Sequence, residues 1–102
     1  MTITERVERG AALLDTKRPE WWQLIELERL DIGSHCDCIA GQLSGGYNYR
    51  FLADIGVENA EHEESAGFDT FRQCDRETEY AALTEAWRDL IESRRAAASV
   101  PA

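Results

Sequence analysis

The feature that most constrains this chain is a long amphipathic stretch near its C-terminal end. Between Glu77 and about Arg95, apolar side chains recur at helical spacing. Residues three or four positions apart lie on one face of a helix, so this spacing predicts a long helix with one buried stripe. A chain of 102 residues has room for about one core, and this helix is expected to line it. The apolar stripe consists of Tyr80, Leu83, Ala86, Trp87, Leu90 and Ile91.

Shorter helices are predicted upstream of this stretch. Thr2 and Glu5 have the spacing of a capping box and predict a first helix, and Ser34 and Asp37 have the same spacing. Residues 27–32 fit either a 3₁₀ turn or a short extended piece, and the acidic segment 57–75 has the weakest pattern, with a short helix over 58–65 as one reading. The clearer helices cover about residues 3–15, 19–25, 35–43 and 49–55.

These patterns predict an all-α fold, a small single-domain bundle of four to five helices with a long C-terminal helix. The chain has no internal repeat and no linker, so we expect one helical domain over residues 1–95. The small residues of 96–102 are expected to form a frayed tail. Gly10 interrupts an otherwise helical pattern and is expected to lie close to a neighbouring element.

The charge of the chain excludes several classes of partner. Twenty acidic residues face eleven basic ones, for a formal net charge of −9 and a pI near 4.6. Direct nucleic-acid binding and anionic-membrane binding need a basic surface, so we expect neither and favour a partner with a basic surface. Between positions 54 and 69 no lysine or arginine occurs, and the stretch carries Asp54, Glu58, Glu61, Glu63, Glu64 and Asp69.

The sequence also predicts a cytoplasmic location. Its first residues lack the basic region and apolar run of a signal peptide, and no stretch approaches the ~18 apolar residues of a membrane span. Three cysteines are an odd number and do not suggest a disulfide framework. Free thiols in a reducing compartment are the simplest interpretation.

The cysteines and histidine around position 36 are the candidates for metal binding. Only one residue separates Cys36 from Cys38, whereas zinc ligands are commonly two to four residues apart. In a helix these two side chains would point about 200° apart, so we expect no metal and no cofactor. A small zinc-binding domain that uses His35, Cys36, Cys38 and Cys74 is kept as an alternative. His35 beside Cys36 does not by itself make a nucleophile and base, so the chain is expected not to be an enzyme.

The candidate contact residues for a protein partner are aromatic and acidic. Trp21 and Trp22 are adjacent, and adjacent helical residues point about 100° apart, so we expect one to be buried and the other partly exposed. An exposed tryptophan is a common anchor in protein interfaces. The acidic residues of 54–69 are the second predicted contact surface. They also suggest an alternative, in which the chain imitates a nucleic-acid backbone and inhibits a DNA- or RNA-binding host protein.

Five segments of this sequence resemble small proteins encoded by actinobacteriophages and actinobacterial prophages. That family has no assigned activity, so the resemblance transfers no functional residue to this chain. It implies a phage gene product that acts in the host cell's cytoplasm. Together with the charge, it suggests a non-enzymatic accessory protein that binds and modulates a host or phage protein, with self-association as a special case. The similar segments are residues 10–15, 18–22, 38–43, 67–69 and 80–87.

Overall fold

Every regular element in the described part of the chain is an α-helix. The computed structural model describes residues 2–34, 36–46, 48–69 and 76–99. The all-α prediction with a long C-terminal helix is confirmed. The described ranges contain six helices, because the weakly patterned acidic segment also forms one, which Asn59 caps by accepting the His62 N–H at 2.9 Å. In chain order the helices are α1 (Ile3–Lys17), α2 (Trp21–Leu24), α3 (Ile39–Ser44), α4 (Asn48–Asp54), α5 (Ala60–Ser65) and α6 (Arg76–Ser99).

The two longest helices, α1 and α6, begin close to their predicted starts. The Thr2 hydroxyl accepts the Glu5 N–H at 3.1 Å, so the predicted cap of α1 is present. The helix ends before Pro19, where the restricted backbone of the preceding residue disfavours continuation. Helix α6 runs to Ser99, so residues 96–99 are helical, while residues 100–102 lie outside the described ranges. Among the described helices, none is both long and apolar enough to cross a membrane.

Helix α3 begins later than the sequence suggested. We predicted a helix over 35–43, but α3 starts at Ile39 and its cap is Cys38, whose Sγ accepts the Gly41 N–H at 3.3 Å. The prediction was wrong because the pair at Ser34 and Asp37 closes a turn. The Asp37 N–H donates to Ser34 Oγ at 3.3 Å, and Asp37 O accepts the N–H of Asp31 at 3.2 Å. The second bond pairs the Asp37 carbonyl with an N–H outside the predicted helix, whereas a helix starting at 35 would pair it with the N–H of Gly41, which is bound to Cys38 Sγ.

Residues 27–32 form turns rather than a strand. The N–H of Leu30 donates to Leu27 O at 3.3 Å, a bond between residues three apart as in a tight helical turn. The N–H of Ile32 is bound by the Thr84 hydroxyl of α6 at 2.9 Å. This segment therefore lies along the long helix, and Leu30 and Ile32 contribute buried side chains.

The core is built on the apolar stripe of α6. Leu83, Trp87 and Ile91 have no exposed surface. The Trp87 ring stacks on Phe68 with centroids 5.4 Å apart and packs perpendicular to the Trp21 ring with centroids 5.5 Å apart. Its indole N–H donates to Gly67 O at 2.7 Å, so the polar edge of this buried ring is satisfied. The predicted core role of Trp87 is confirmed.

Gly10 lets α1 approach the rest of the molecule closely. A methyl group added at this position would lie 2.1 Å from Ala66 O and 2.9 Å from the Trp87 ring. A carbonyl oxygen and an indole ring without exposed surface cannot move aside without shifting the elements that carry them. The predicted close approach at Gly10 is confirmed.

The Gly10→Ala substitution is expected to destabilise the protein, although alanine is the better helix former by about 1 kcal/mol. Overpacking against Ala66 and Trp87 should lower the free energy of unfolding by about 1–3 kcal/mol, as measured by urea denaturation. The control is Ala12→Gly on the exposed side of α1, which should lower it by about 1 kcal/mol through helix propensity alone. A Gly10→Ala variant more stable than the parent would contradict the close contact.

Candidate protein-binding surface

Trp21, one of the two predicted aromatic contact residues, lies inside the protein. It has no exposed surface, and its indole N–H donates to Asp15 Oδ1 at 2.9 Å. The Arg94 guanidinium lies over the ring, 5.5 Å from its centroid. Trp22 is half-buried, so the expectation of one buried and one partly exposed tryptophan is confirmed. Of this pair, only Trp22 has surface to offer a partner.

Asp15 and Arg94 join α1 to α6 above the buried indole. Arg94 Nη2 donates to Asp15 Oδ2 at 2.9 Å, and a second bond joins Nη1 to Oδ1. The Arg94 guanidinium is the main cause that lowers the pKa of the Asp15 carboxyl below its usual value. The carboxylate of Asp15 therefore neutralises the Arg94 guanidinium on the surface between α1 and α6.

The neighbourhood of Trp22 exposes one large aliphatic side chain that sequence reasoning missed. Leu24 is 58% exposed, which is unusual for leucine in this fold. The turn that carries it is held by Arg95, whose guanidinium donates to Trp22 O at 2.9 Å and also to Ile25 O. Hydrophobic periodicity could not have identified Leu24, because α2 has four residues and shows barely one turn of any pattern.

The acidic segment 54–69 does not present its six carboxylates equally to solvent. Asp69 is half-buried, accepts the Tyr80 hydroxyl at 2.7 Å and lies 3.9 Å from Arg76 Nη2. Its carboxylate therefore has structural partners. The six divide into half-buried Glu63, Glu64 and Asp69, and exposed Asp54, Glu58 and Glu61.

A small cavity brings two of these acids together. Glu63 and Asp69 line a space of about 190 Å³ with Asn48, Cys38 and Tyr80 among its walls. Burial is the main cause that raises the pKa of Glu63, and the nearby carboxylates of Asp69 and Glu64 raise it further. The volume lies below the roughly 300–1,000 Å³ of ordinary small-molecule sites, so the cavity does not fit a drug-sized ligand.

The described cysteines have different surroundings. Cys36 is exposed, whereas Cys38 is buried at the start of α3 and its Sγ accepts from Asn48 Nδ2 at 3.6 Å. Burial raises the pKa of the Cys38 thiol, which disfavours the thiolate that metal binding and nucleophilic attack require. Within the described residues no group of three metal-ligating side chains occurs. The other two zinc candidates, His35 and Cys74, lie outside those residues.

A groove between α1 and α6 leaves apolar side chains partly exposed to solvent. Its floor consists of apolar side chains from both helices, and only Val7 among them is fully buried. Sequence reasoning placed Ala86 and Leu90 in the core stripe of α6, but both are half-buried and line the groove. The apolar stripe of α6 is therefore wider than the core that it covers. The floor residues are Ile3, Val7, Ala82, Ala86 and Leu90.

The edges of the groove are acidic. Glu8 on one edge and Glu85 and Asp89 on the other are exposed, and none of them makes an ion pair with another described residue. The one cation that lines the groove is Arg94, and its guanidinium is bound by Asp15. These residues combine an apolar floor with a net negative edge. The sequence-based analysis missed them because they come from two helices about 80 positions apart in the chain.

Comparison with known proteins found no match: no family model matches the chain, and no curated protein or solved structure shows significant similarity to it.

Proposed function

We propose that this chain is a non-enzymatic accessory protein of an actinobacteriophage or prophage that binds and modulates another protein in the host cytoplasm. The groove between α1 and α6 is the proposed contact surface. Its half-buried floor is the observation that carries the proposal, because covering apolar side chains that remain partly exposed to water favours association. The resemblance to phage-encoded proteins supports the cellular context.

The groove supports protein binding better than the surfaces chosen from the sequence. Trp21 is buried, and three of the six acids of 54–69 are half-buried. Trp22 and Leu24 each leave apolar surface exposed on α2, and they are secondary contacts in this proposal. The groove combines several apolar side chains with charges along its edges, which is the usual anatomy of an interface core and rim.

A photo-crosslinking amino acid placed at Asp89 should capture a partner protein in actinobacterial cells. Asp89 is exposed at the edge of the groove, so the crosslinker would contact any occupant without occupying the floor. The same amino acid at Glu58 samples the acidic segment, and at Leu24 it samples the surface on α2. Adducts are identified by mass spectrometry. We expect one dominant adduct from position 89 and weaker or no adducts from 58.

The Ala86→Arg substitution should reduce this adduct by about tenfold or more, which corresponds to a loss of about 1.4 kcal/mol of binding free energy. It places a long charged side chain on the apolar floor of the groove. The matched control is Ala81→Arg, the same change on an exposed face of the same helix, which should leave the adduct unchanged. Equal adducts from both variants, or adducts from position 24 alone, would show that the groove is not the binding surface.

The alternative of nucleic-acid mimicry is supported by the exposed carboxylates of Asp54, Glu58 and Glu61. In that case the crosslinker at Glu58 should capture a basic DNA- or RNA-binding protein, and added DNA should compete for it. The partly buried positions of Glu63 and Asp69 leave fewer carboxylates for this role than the sequence suggested. Mimicry therefore ranks second to groove binding.

A further inference from the structure

We propose that the occupant of the groove between α1 and α6 is a basic amphipathic helix of the partner protein. This inference rests on the proposed function and specifies the partner's chemistry. Three properties of the groove lead to it: the helical spacing of its floor, the sign of the charges at its edges, and the kind of backbone that it can accommodate.

The floor of the groove has the spacing of a helix-packing surface. Ala82, Ala86 and Leu90 follow one another at intervals of four on α6, and Ile3 and Val7 have the same interval on α1. Rows of residues four apart form the ridges and grooves by which helices pack. The lining of α6 extends from position 82 to 94, or about 18 Å at the rise of an α-helix. A partner helix of about three turns would cover this length.

Small side chains allow the occupant to approach closely. Two of the three floor positions on α6 are alanines, and Val7 lies below the surface. An apolar residue of the partner can therefore sit between the two helices rather than on top of them. A helix laid there would bury Leu90 and Ile3, which are half-buried in the chain alone. Burial of such side chains is the main favourable term in association.

The charges select a basic partner. Glu8 on α1 and Glu85 and Asp89 on α6 lie on opposite edges, so lysines or arginines on both sides of the partner's apolar stripe would each meet a carboxylate. These carboxylates have no ion-pair partner among the described residues, so pairing with the partner breaks no ion pair within that part of the fold. Complementary charges of this kind raise association rates and suppress wrong partners.

The same charges disfavour a second copy of this chain as the occupant. A symmetric dimer through the groove would bring Glu8, Glu85 and Asp89 of one copy against the same residues of the other. Like charges in an interface are costly, and the chain carries a formal net charge of −9. The groove also lies between two helices and offers no strand edge to an extended peptide, whereas a helix satisfies its own backbone groups.

Fluorescence anisotropy with a designed peptide tests this inference. The probe is a fluorescein-labelled 18-residue peptide of leucine and lysine, with the leucines at helical spacing. One control has the same composition in an order without helical spacing, and a second replaces every lysine with glutamate. The full-length protein is titrated at low and moderate salt. We expect the basic amphipathic peptide to bind at least about tenfold more tightly than either control and to become helical by circular dichroism.

Two sets of variants locate the binding site. Ala86→Arg should weaken peptide binding by about tenfold while Ala81→Arg leaves it unchanged. The triple variant Glu8→Gln, Glu85→Gln, Asp89→Asn should weaken binding and reduce its salt dependence, because it removes the screened charge attraction. Equal binding of the permuted peptide, or equal effects of the two arginine variants, would overturn the inference, since either result indicates charge attraction without a groove.

The peptide experiment and the cellular crosslinking can fail independently of each other. A partner captured from position 89 whose crosslinked segment is neither basic nor helical would overturn the helix inference and leave protein binding through the groove intact. Specific peptide binding without any cellular adduct would support the inference about the groove's chemistry and contradict the proposed function.

Discussion

Replacing Arg6 with methionine is expected to lower the free energy of unfolding by about 3–5 kcal/mol. Arg6 is only 2% exposed, and its guanidinium donates to Glu64 O at 2.7 Å, to Asp69 O at 2.7 Å and to Glu79 Oε1 at 2.8 Å. These bonds hold α1 against the end of α5 and the start of α6. Methionine fills part of the volume but donates no hydrogen bond, so the mostly buried Glu79 carboxylate loses its ion pair with Arg6.

The measurement is urea denaturation followed by tryptophan fluorescence and by far-ultraviolet circular dichroism. Arg9→Met is the matched control, because Arg9 is an exposed arginine on the same helix. That variant should change the free energy of unfolding by no more than about 0.5 kcal/mol. Similar losses for the two variants would mean that the buried network around Arg6 does not stabilise the fold beyond the general effect of removing an arginine.

The Trp87→Ala substitution is also expected to lower the free energy of unfolding by about 3–5 kcal/mol, because it creates a cavity in the core. Trp87 has no exposed surface, contacts the rings of Trp21 and Phe68, and donates its indole N–H to Gly67 O. Removal of the ring leaves the centre of the core unfilled between α2 and α6. Trp87→Phe should lower the free energy of unfolding less than Trp87→Ala does, because phenylalanine refills much of the space. A loss remains, since the Gly67 carbonyl no longer receives the indole N–H.

The comparison variant for Trp87 is Trp22→Ala. Trp22 is half-buried, so its truncation removes less buried surface and leaves no enclosed cavity. In the same denaturation experiment, we expect Trp22→Ala to lower the free energy of unfolding by about one third as much as Trp87→Ala does. If both truncations were equally destabilising, the assignment of Trp87 to the centre of the core and Trp22 to its edge would be incorrect.

Local sequence patterns predicted most of the helices, because the interactions that form these helices join residues close together in the chain. The stripe from Tyr80 to Ile91 and the cap at Thr2 involve residues within a few positions of one another, and both are present in the structure. The start of α3 was mispredicted although Ser34 and Asp37 have a suitable spacing. Their hydrogen bonds serve a turn, which is also held by the bond from Asp31 to Asp37, and capping-box spacing does not distinguish these two outcomes.

The candidate site was much less predictable. Composition drew attention to the dense acidic run at 54–69, whereas the acidic residues that line the proposed groove, Glu8, Glu85 and Asp89, are dispersed along the chain. Periodicity marked Ala86 and Leu90 as apolar positions of α6 without showing that the core leaves them half-buried. How much of an apolar stripe is covered depends on the width and angle of the helix packed against it.

The sequence by itself determined the helical class, the long C-terminal helix, the net negative charge and the presence of one buried and one partly exposed residue at Trp21 and Trp22. Each of these follows from composition or from interactions within a few turns of helix. Only the tertiary structure decided that Arg6 is a buried clamp, that Gly10 touches Ala66, and that an acid-edged apolar groove lies between α1 and α6. These features join residues about 55 to 80 positions apart, and their existence depends on how the helices pack.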